Sequence, residues 1–210
     1  MNDLADVRIG YQSRVRIEPD STSPYRIIQL RDVKEVVDWA TVIPFKPDRK
    51  PERSLVGDGN VLISARGEGH VGVTLSGVPA NTVASSNFYV LRINRKDVLP
   101  EYVGWYLNQP AAQEYLRSRS QGTYIALITK ADIGELEVPI PPLSVQQQVV
   151  RVAGLRRMEQ DLLRQLESKR DALIQTVCYN ALNQPSPGGR GQGEGNTLNI
   201  RADHENGTGK

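Results

Sequence analysis

Residues 138–147 read Val138-Pro139-Ile140-Pro141-Pro142-Leu143-Ser144-Val145-Gln146-Gln147, and this stretch divides the chain. Three prolines within four positions cannot lie inside a helix. Beyond them, apolar residues recur at Val145, Val149, Val152, Leu155, Leu162, Leu166, Leu173 and Val177. That spacing averages ~3.6 residues, the helical period, and polar residues fill the other faces. The pattern predicts one helix over residues 144–183. Ser144 is the expected cap, with Gln147 three residues later completing a capping box. About 38 helical residues would run roughly 57 Å, more than a domain of this size accommodates. The apolar stripe at Val152, Leu155, Leu162, Leu166, Leu173 and Val177 is therefore expected to pack on a helix of another chain. A helix folded back on residues 1–143, or broken near Gly154, is the alternative.

Upstream of the prolines the texture changes. Short apolar runs occur at Tyr25–Leu30, Leu55–Val56, Val61–Ser64, Val71–Leu75, Phe88–Ile93, Tyr124–Thr129 and Leu136–Ile140. They are bounded by Gly, Pro, Asn and Asp, as strands are. Asp58-Gly59-Asn60 and Gly67–Gly72 are turn signals. One helical stretch, Asp97–Glu114, interrupts them. Pro110 breaks it, and Ala111–Arg119 continues as a second helix. Several strands with embedded helices predict an α+β domain over residues 1–143, with a curved, mostly antiparallel sheet. Downstream, residues 184–210 hold seven glycines and two prolines and almost no large apolar group. Such a tail cannot bury enough surface to offset its ordering entropy and is expected to be disordered.

Composition excludes more than it selects. Of 210 residues, 39% are hydrophobic and 24% charged, which is globular usage. No apolar run approaches the length of a membrane span. The start, MNDLADVRIG, lacks the apolar core of a secretion signal, and the single Cys178 has no disulfide partner. A reducing, cytoplasmic setting is expected. The net charge is only +2, with 17 basic and 17 acidic residues in 1–143. Charge balance alone gives no nucleic-acid signal.

Tests for catalytic motifs fail. Gly67-Glu68-Gly69-His70-Val71-Gly72 fits G-x-G-x-x-G, but a dinucleotide site needs a helix directly afterwards, and a strand-like run follows. A hairpin turn is the better reading. His70, His204 and Cys178 share no metal-ligand spacing. Asp48 and Glu52 are too close together, and lack the lysine, for a nuclease. Asn108-Gln109-Pro110-Ala111 and Ile140-Pro141-Pro142-Leu143 fail as methyltransferase motifs. No catalytic residue, metal or other cofactor is expected, and Glu68, His70 and Cys178 are expected to do no chemistry. Local basic groups do exist. Lys46, Arg49, Lys50 and Arg53 lie in a proline-rich loop, Arg66 follows a strand, and Arg117 and Arg119 precede Gln121, Thr123 and Tyr124. Such side chains reach phosphates and base edges, although exposed basic residues are often only solvated charges.

The order of motifs resembles a known family. Tyr25–Val33 (YRIIQLRDV) and Gly57–Gly72 (GDGNVLISARGEGHVG) look like strands of a target recognition domain. Asn87–Arg92, the Pro100–Leu107 segment (PEYVGWYL) and Gly122–Leu136 follow in turn. The junction Val138–Gln147 is similar to the "P-x-P-P-L-x-x-Q" segment of specificity (S) subunits of type I restriction-modification systems. The resemblance implies a recognition domain followed by a conserved helix packed antiparallel on a second one. It implies a non-catalytic subunit that binds double-stranded DNA and positions methyltransferase (M) and restriction (R) subunits. On this reading Lys46, Arg49, Lys50, Arg53, Arg66, Arg117, Arg119, Gln121, Thr123 and Tyr124 are the DNA-binding candidates. The usual layout has two recognition domains and two helices, whereas this sequence has one of each. A half-length subunit is therefore expected, pairing with itself or with another half-length subunit. A stand-alone DNA-binding or scaffold protein of the same fold is the alternative, and a nuclease or methyltransferase fragment is a weaker third.

Overall fold

A computed structural model of the protein describes residues 1–66, 69–120 and 127–183. The chain divides into two units, Met1–Gln160 and Asp161–Lys210.

The first unit is α+β. Its larger sheet has four antiparallel strands in the order β1-β7-β4-β5. These are β1 (Ala5–Ile9), β4 (Val61–Ser64), β5 (Gly72–Thr74) and β7 (Phe88–Ile93). A second sheet holds β3 (Ile43–Pro44), β2 (Arg26–Ile28) and β6 (Thr82–Ala84). In it, β2 pairs antiparallel with β3 and parallel with β6. Helices α1 (Pro100–Leu107), α2 (Pro110–Arg119) and α3 (Lys130–Glu135) complete the unit, together with the start of α4 (Leu143–Asn183).

The larger sheet is covered on both faces. Val61, Ile63 and Leu91 share one core with Val103, Leu107, Leu116 and Ile133 of the helices. Their neighbours Leu62 and Val90 point the other way, into a core with Ile28, Ala84 and Val42. This explains the continuous apolar run of Val61–Ser64: a strand buried on both faces need not alternate. Gly104 lets α1 lie close on this sheet, because a β-carbon there would stand 2.3 Å from Thr74 Oγ1.

Several expectations need correction. Helix α4 starts at Leu143, not Ser144, and the Pro142 carbonyl takes the first N–H groups, from Val145 and Gln146. Ser144 is thus inside the helix and cannot cap it. Leu136–Ile140 forms no strand. Its apolar side chains pack on the core, but Pro139 and Pro141 bring no N–H to a ladder. Leu55 makes only an isolated bridge, to Val83. Strands β1, β3 and β6 and helix α3 were not expected. The Tyr124–Thr129 run lies partly outside the described residues. Its described end also forms no strand, because Thr129 caps α3 through Asp132. Residues 184–210 lie outside the described residues altogether.

In the second unit, the described residues are the remainder of α4. The expected interface residues Val152, Leu155, Leu162, Leu166, Leu173 and Val177 are 52–66% exposed. Val152 and Leu155 belong to the first unit's part of the helix, and the other four to the second's.

Candidate nucleic-acid interface

Strand directions gather most of the basic loops at one place. Both β1 and β4 run antiparallel to β7, so both end where β7 begins: Ile9 faces Tyr89 and Ser64 faces Phe88. β5 starts at the same end, with Gly72 opposite Ile63. The segments leaving this sheet end are the stretch after Ile9, the turn Ala65–Val71 and the residues before Phe88. Backbone bonds tie them together, Gly10 N–H to the Phe88 carbonyl at 2.9 Å and Ala65 N–H to the Asn87 carbonyl at 2.8 Å.

The turn between β4 and β5 is held by side chains. Ser64 Oγ accepts from Val71 N–H at 2.8 Å and donates to the Gly69 carbonyl. Gln113 of α2 donates to the His70 carbonyl at 2.8 Å. Asn108 Nδ2 donates to the Gly72 carbonyl, and its Oδ1 accepts from Gly72 N–H. The glycine-rich G-x-G-x-x-G stretch thus links two antiparallel strands, as a hairpin turn does, although Gly67 and Glu68 themselves lie outside the described residues. His70 is buried, with Nδ1 2.9 Å from the Ser64 carbonyl and Nε2 2.8 Å from Ser120 Oγ. A carbonyl only accepts, so Nδ1 carries a hydrogen. This ring locks the end of α2 onto the turn. Arg66 bridges to Leu127, and Ile128 N–H donates to the Ala65 carbonyl. The segment 121–126, with the candidates Gln121, Thr123 and Tyr124, lies outside the described residues; of its flanks, Leu127 bridges to Arg66 and Ser120 bonds His70.

The remaining candidates separate by whether they already have partners. Lys46, Arg49, Lys50, Arg53, Arg66 and Arg117 are exposed and make no ion pair with a described residue. Arg119 is engaged: its guanidinium lies 3.3 Å from Glu135 and over the Tyr115 ring at 5.3 Å. The loop of Lys46–Arg53 is fastened to the same sheet end through Asp48. The Asp48 carboxylate accepts from the Tyr11 hydroxyl at 2.6 Å, from Arg14 N–H at 2.9 Å and from Ser13 Oγ at 3.1 Å. The Tyr11 bond, then the Arg14 bond, hold its carboxyl down to about 2. A carboxylate so occupied anchors the loop to the segment Tyr11–Arg14. Among the described residues no cluster of His, Cys, Asp and Glu could hold a metal ion, and no helix is long and apolar enough to cross a membrane.

Sequence reasoning missed Gln146. It is buried, accepts from Leu99 N–H at 2.9 Å, and donates at 2.8 Å to both the Asp97 and Pro141 carbonyls. It fixes the first turn of α4 to the entrance of α1. Its sequence signal is that it is the glutamine of the P-x-P-P-L-x-x-Q junction, although the capping-box spacing points to the neighbouring Gln147.

The sequence model of the family described as "Type I restriction modification DNA specificity domain" matches residues 47–170, more than half of the chain. The chain belongs to this family. The match runs from the Asp48 loop through the proline junction into α4. No curated protein matches the sequence. Solved structures of low identity share the fold. One, from work on complex assembly and conformational transition of the type I R-M system, has a TM-score of 0.59 at 16% identity. It covers 83% of this chain and 41% of its own. The HsdS subunit from Thermoanaerobacter tengcongensis gives 0.56 at 16% identity, covering 84% and 40%. The type I S subunit from M. genitalium gives 0.53 at 14% identity, covering 87% and 45%. The protein thus spans less than half the length of each of these chains.

Proposed function

We propose that the protein is the sequence-specific DNA-binding specificity subunit of a type I restriction-modification complex. It binds double-stranded DNA in the cytoplasm and directs M and R subunits to the target, contributing no catalytic group of its own. The observation that carries this reading is the convergence of unpaired basic loops on one end of a rigid sheet, in a chain of the specificity-domain family. Residues 1–143 are the recognition domain, and 144–183 form the dimer and methyltransferase-subunit interface. Methylome sequencing of cells with and without the gene tests it. One methylated motif should vanish on deletion. Unchanged methylation would favour a stand-alone DNA-binding protein instead.

The second subunit on the helix is a second copy of this chain, and the sequence pattern supports one register. About a centre at Arg164, Leu162 would face Leu166 of the other copy, Leu155 would face Leu173, and Glu159 would face Lys169. Every pair is complementary in an antiparallel arrangement, and a polar pair within an apolar seam specifies register. Glu159→Lys should abolish self-association, as should Lys169→Glu, and the double swap should restore it. A monomeric wild type at micromolar concentration in sedimentation overturns the pairing. Two-fold pairing presents one surface twice, so the DNA site should be a bipartite inverted repeat with an unspecified spacer.

A further inference from the structure

Arg14 and Arg16 stand out because the sequence gives no reason to group them with the basic loop over 30 positions away. The structure does. Residues 11–20 run as a strap along residues 44–49 and are fastened at both ends. At one end the Tyr11 hydroxyl donates to Asp48 at 2.6 Å and accepts from Arg49 N–H at 3.1 Å. Ser13 and Arg14 add their own bonds to the same carboxylate. At the other end Asp20 N–H donates to the Pro44 carbonyl at 3.0 Å, and Pro19 bridges to Phe45. Between the two segments lies an open cleft of about 480 Å³ whose lining includes the cations Arg16 and Lys46 and the carboxylates Glu18, Asp20 and Asp48. Gly10 makes the path possible. A β-carbon there would sit 2.2 Å from the Ser85 carbonyl oxygen, so a larger residue would push the strap away from the sheet.

The strap carries charge to a defined place. Arg14 and Arg16 are exposed, and neither pairs with a described acid. They join Lys46, Arg49, Lys50 and Arg53 on one surface built from two segments. Two of the nearby carboxylates are already occupied by local bonds, Asp48 in the clamp and Asp20 by the Thr22 hydroxyl and N–H. Elsewhere Arg8, Arg31, Arg95, Arg119 and Arg164 each face an acid. Unpaired cations held on a fixed backbone are what phosphate contact requires.

We propose that Arg14 and Arg16 are phosphate-contacting residues of the DNA interface, and that Asp48 is the positioning residue that clamps their strap onto the basic loop. This rests on the DNA-binding reading above and extends it to residues before the family match, which starts at position 47. The clamp makes an unusual demand. Removing an acid from a DNA-binding surface ordinarily tightens binding, because a repulsion is lost. Asp48→Ala should instead weaken it, because the strap is released.

The test is titration of the full chain with random-sequence duplex DNA at several salt concentrations. The double variant Arg14→Ala/Arg16→Ala should weaken binding and flatten the slope of log K against log salt by roughly two. Asp48→Ala should weaken binding severalfold, and Tyr11→Phe, which changes no charge, should weaken it less. The arginine double variant should keep the wild-type unfolding midpoint to within a few degrees, since surface substitutions cost little. Asp48→Ala, which takes the acceptor from the Tyr11 hydroxyl, should lower the midpoint yet stay folded at the temperature of the titration. Glu18→Gln, on the same strap but outside the clamp, should tighten binding. An unchanged slope in the arginine double variant, or tighter binding by Asp48→Ala, overturns the proposal while leaving DNA binding intact. A wild type whose DNA binding is absent, or independent of salt, overturns the DNA-binding reading itself.

Discussion

Leu91 and Leu166 are the same residue in opposite situations. Leu91, in the unit Met1–Gln160, is fully buried between β1 and β4, while Leu166, in the unit Asp161–Lys210, is 52% exposed. In the first unit the apolar residues of strands and helices close on one another. In the second, Leu162, Leu163, Leu166, Leu173, Ile174 and Val177 stand in solvent. The first has what it needs for a core. The second has a stripe that gains its free energy only against a matching surface. Periodicity announces both equally well, but it does not say where the cover comes from.

The largest effect separates the two regions directly. Leu91→Ala should destabilise the folded unit by about 2–5 kcal/mol, because it opens a cavity where neighbours cannot follow. Leu166→Ala should change unfolding of the dilute chain by less than about 0.5 kcal/mol. Both tryptophans, Trp39 and Trp105, lie in the first unit. Their emission during urea unfolding therefore reports that unit alone. Comparable losses for the two variants would show that the helix contributes to the first unit's stability, and the contrast would break.

A smaller effect sharpens the border. Gln146→Leu keeps an apolar body of similar size but leaves the Leu99 N–H and the Asp97 and Pro141 carbonyls without their partner. A cost of about 1–3 kcal/mol is expected for such orphaned buried groups. Hydrogen exchange at the Leu99 amide should accelerate, while the amides of Leu162–Val177 keep their wild-type rates. Acceleration along the whole helix would mean that its far turns depend on this anchor.

These differences also explain what could be read from the sequence. β4 and β7 and the helix break at Pro110 were legible because apolar runs and proline act locally. α4 was legible to within one residue for the same reason. β1 carried a readable sign that was passed over, since Ala5–Ile9 alternates charged Asp6 and Arg8 with apolar neighbours, as an edge strand does. α3 had a readable sign in Thr129 and Asp132, which form a reciprocal capping box, but six residues carry little periodicity. In the candidate interface, Lys46–Arg53 was legible as a cluster in sequence. Arg14 and Arg16 were not, because Tyr11 and Asp48 meet across 37 positions of chain. Side-chain contacts of that separation leave no pattern in either segment.

The smallest effect concerns that contact and acts through pH. Tyr11, Arg14 and Ser13 all hydrogen-bond the charged form of Asp48, and its carboxyl falls from 3.8 to about 2. A depressed folded-state value means that the clamp's contribution is complete above the ordinary carboxyl range. It fades as pH drops from about 4 and is gone below about 2. Protonation weakens the carboxyl as an acceptor, so the Arg14 N–H should shift in the NMR spectrum with a midpoint near 2. Tyr11→Phe removes the largest cause and should move that midpoint upward, toward 3.8. The helix of the second unit has no part in this clamp, so amides of Leu162–Val177 should not report the same midpoint. A wild-type midpoint at the ordinary carboxyl value would mean that the strap is not clamped in solution. The difference between the two regions would then rest on burial alone.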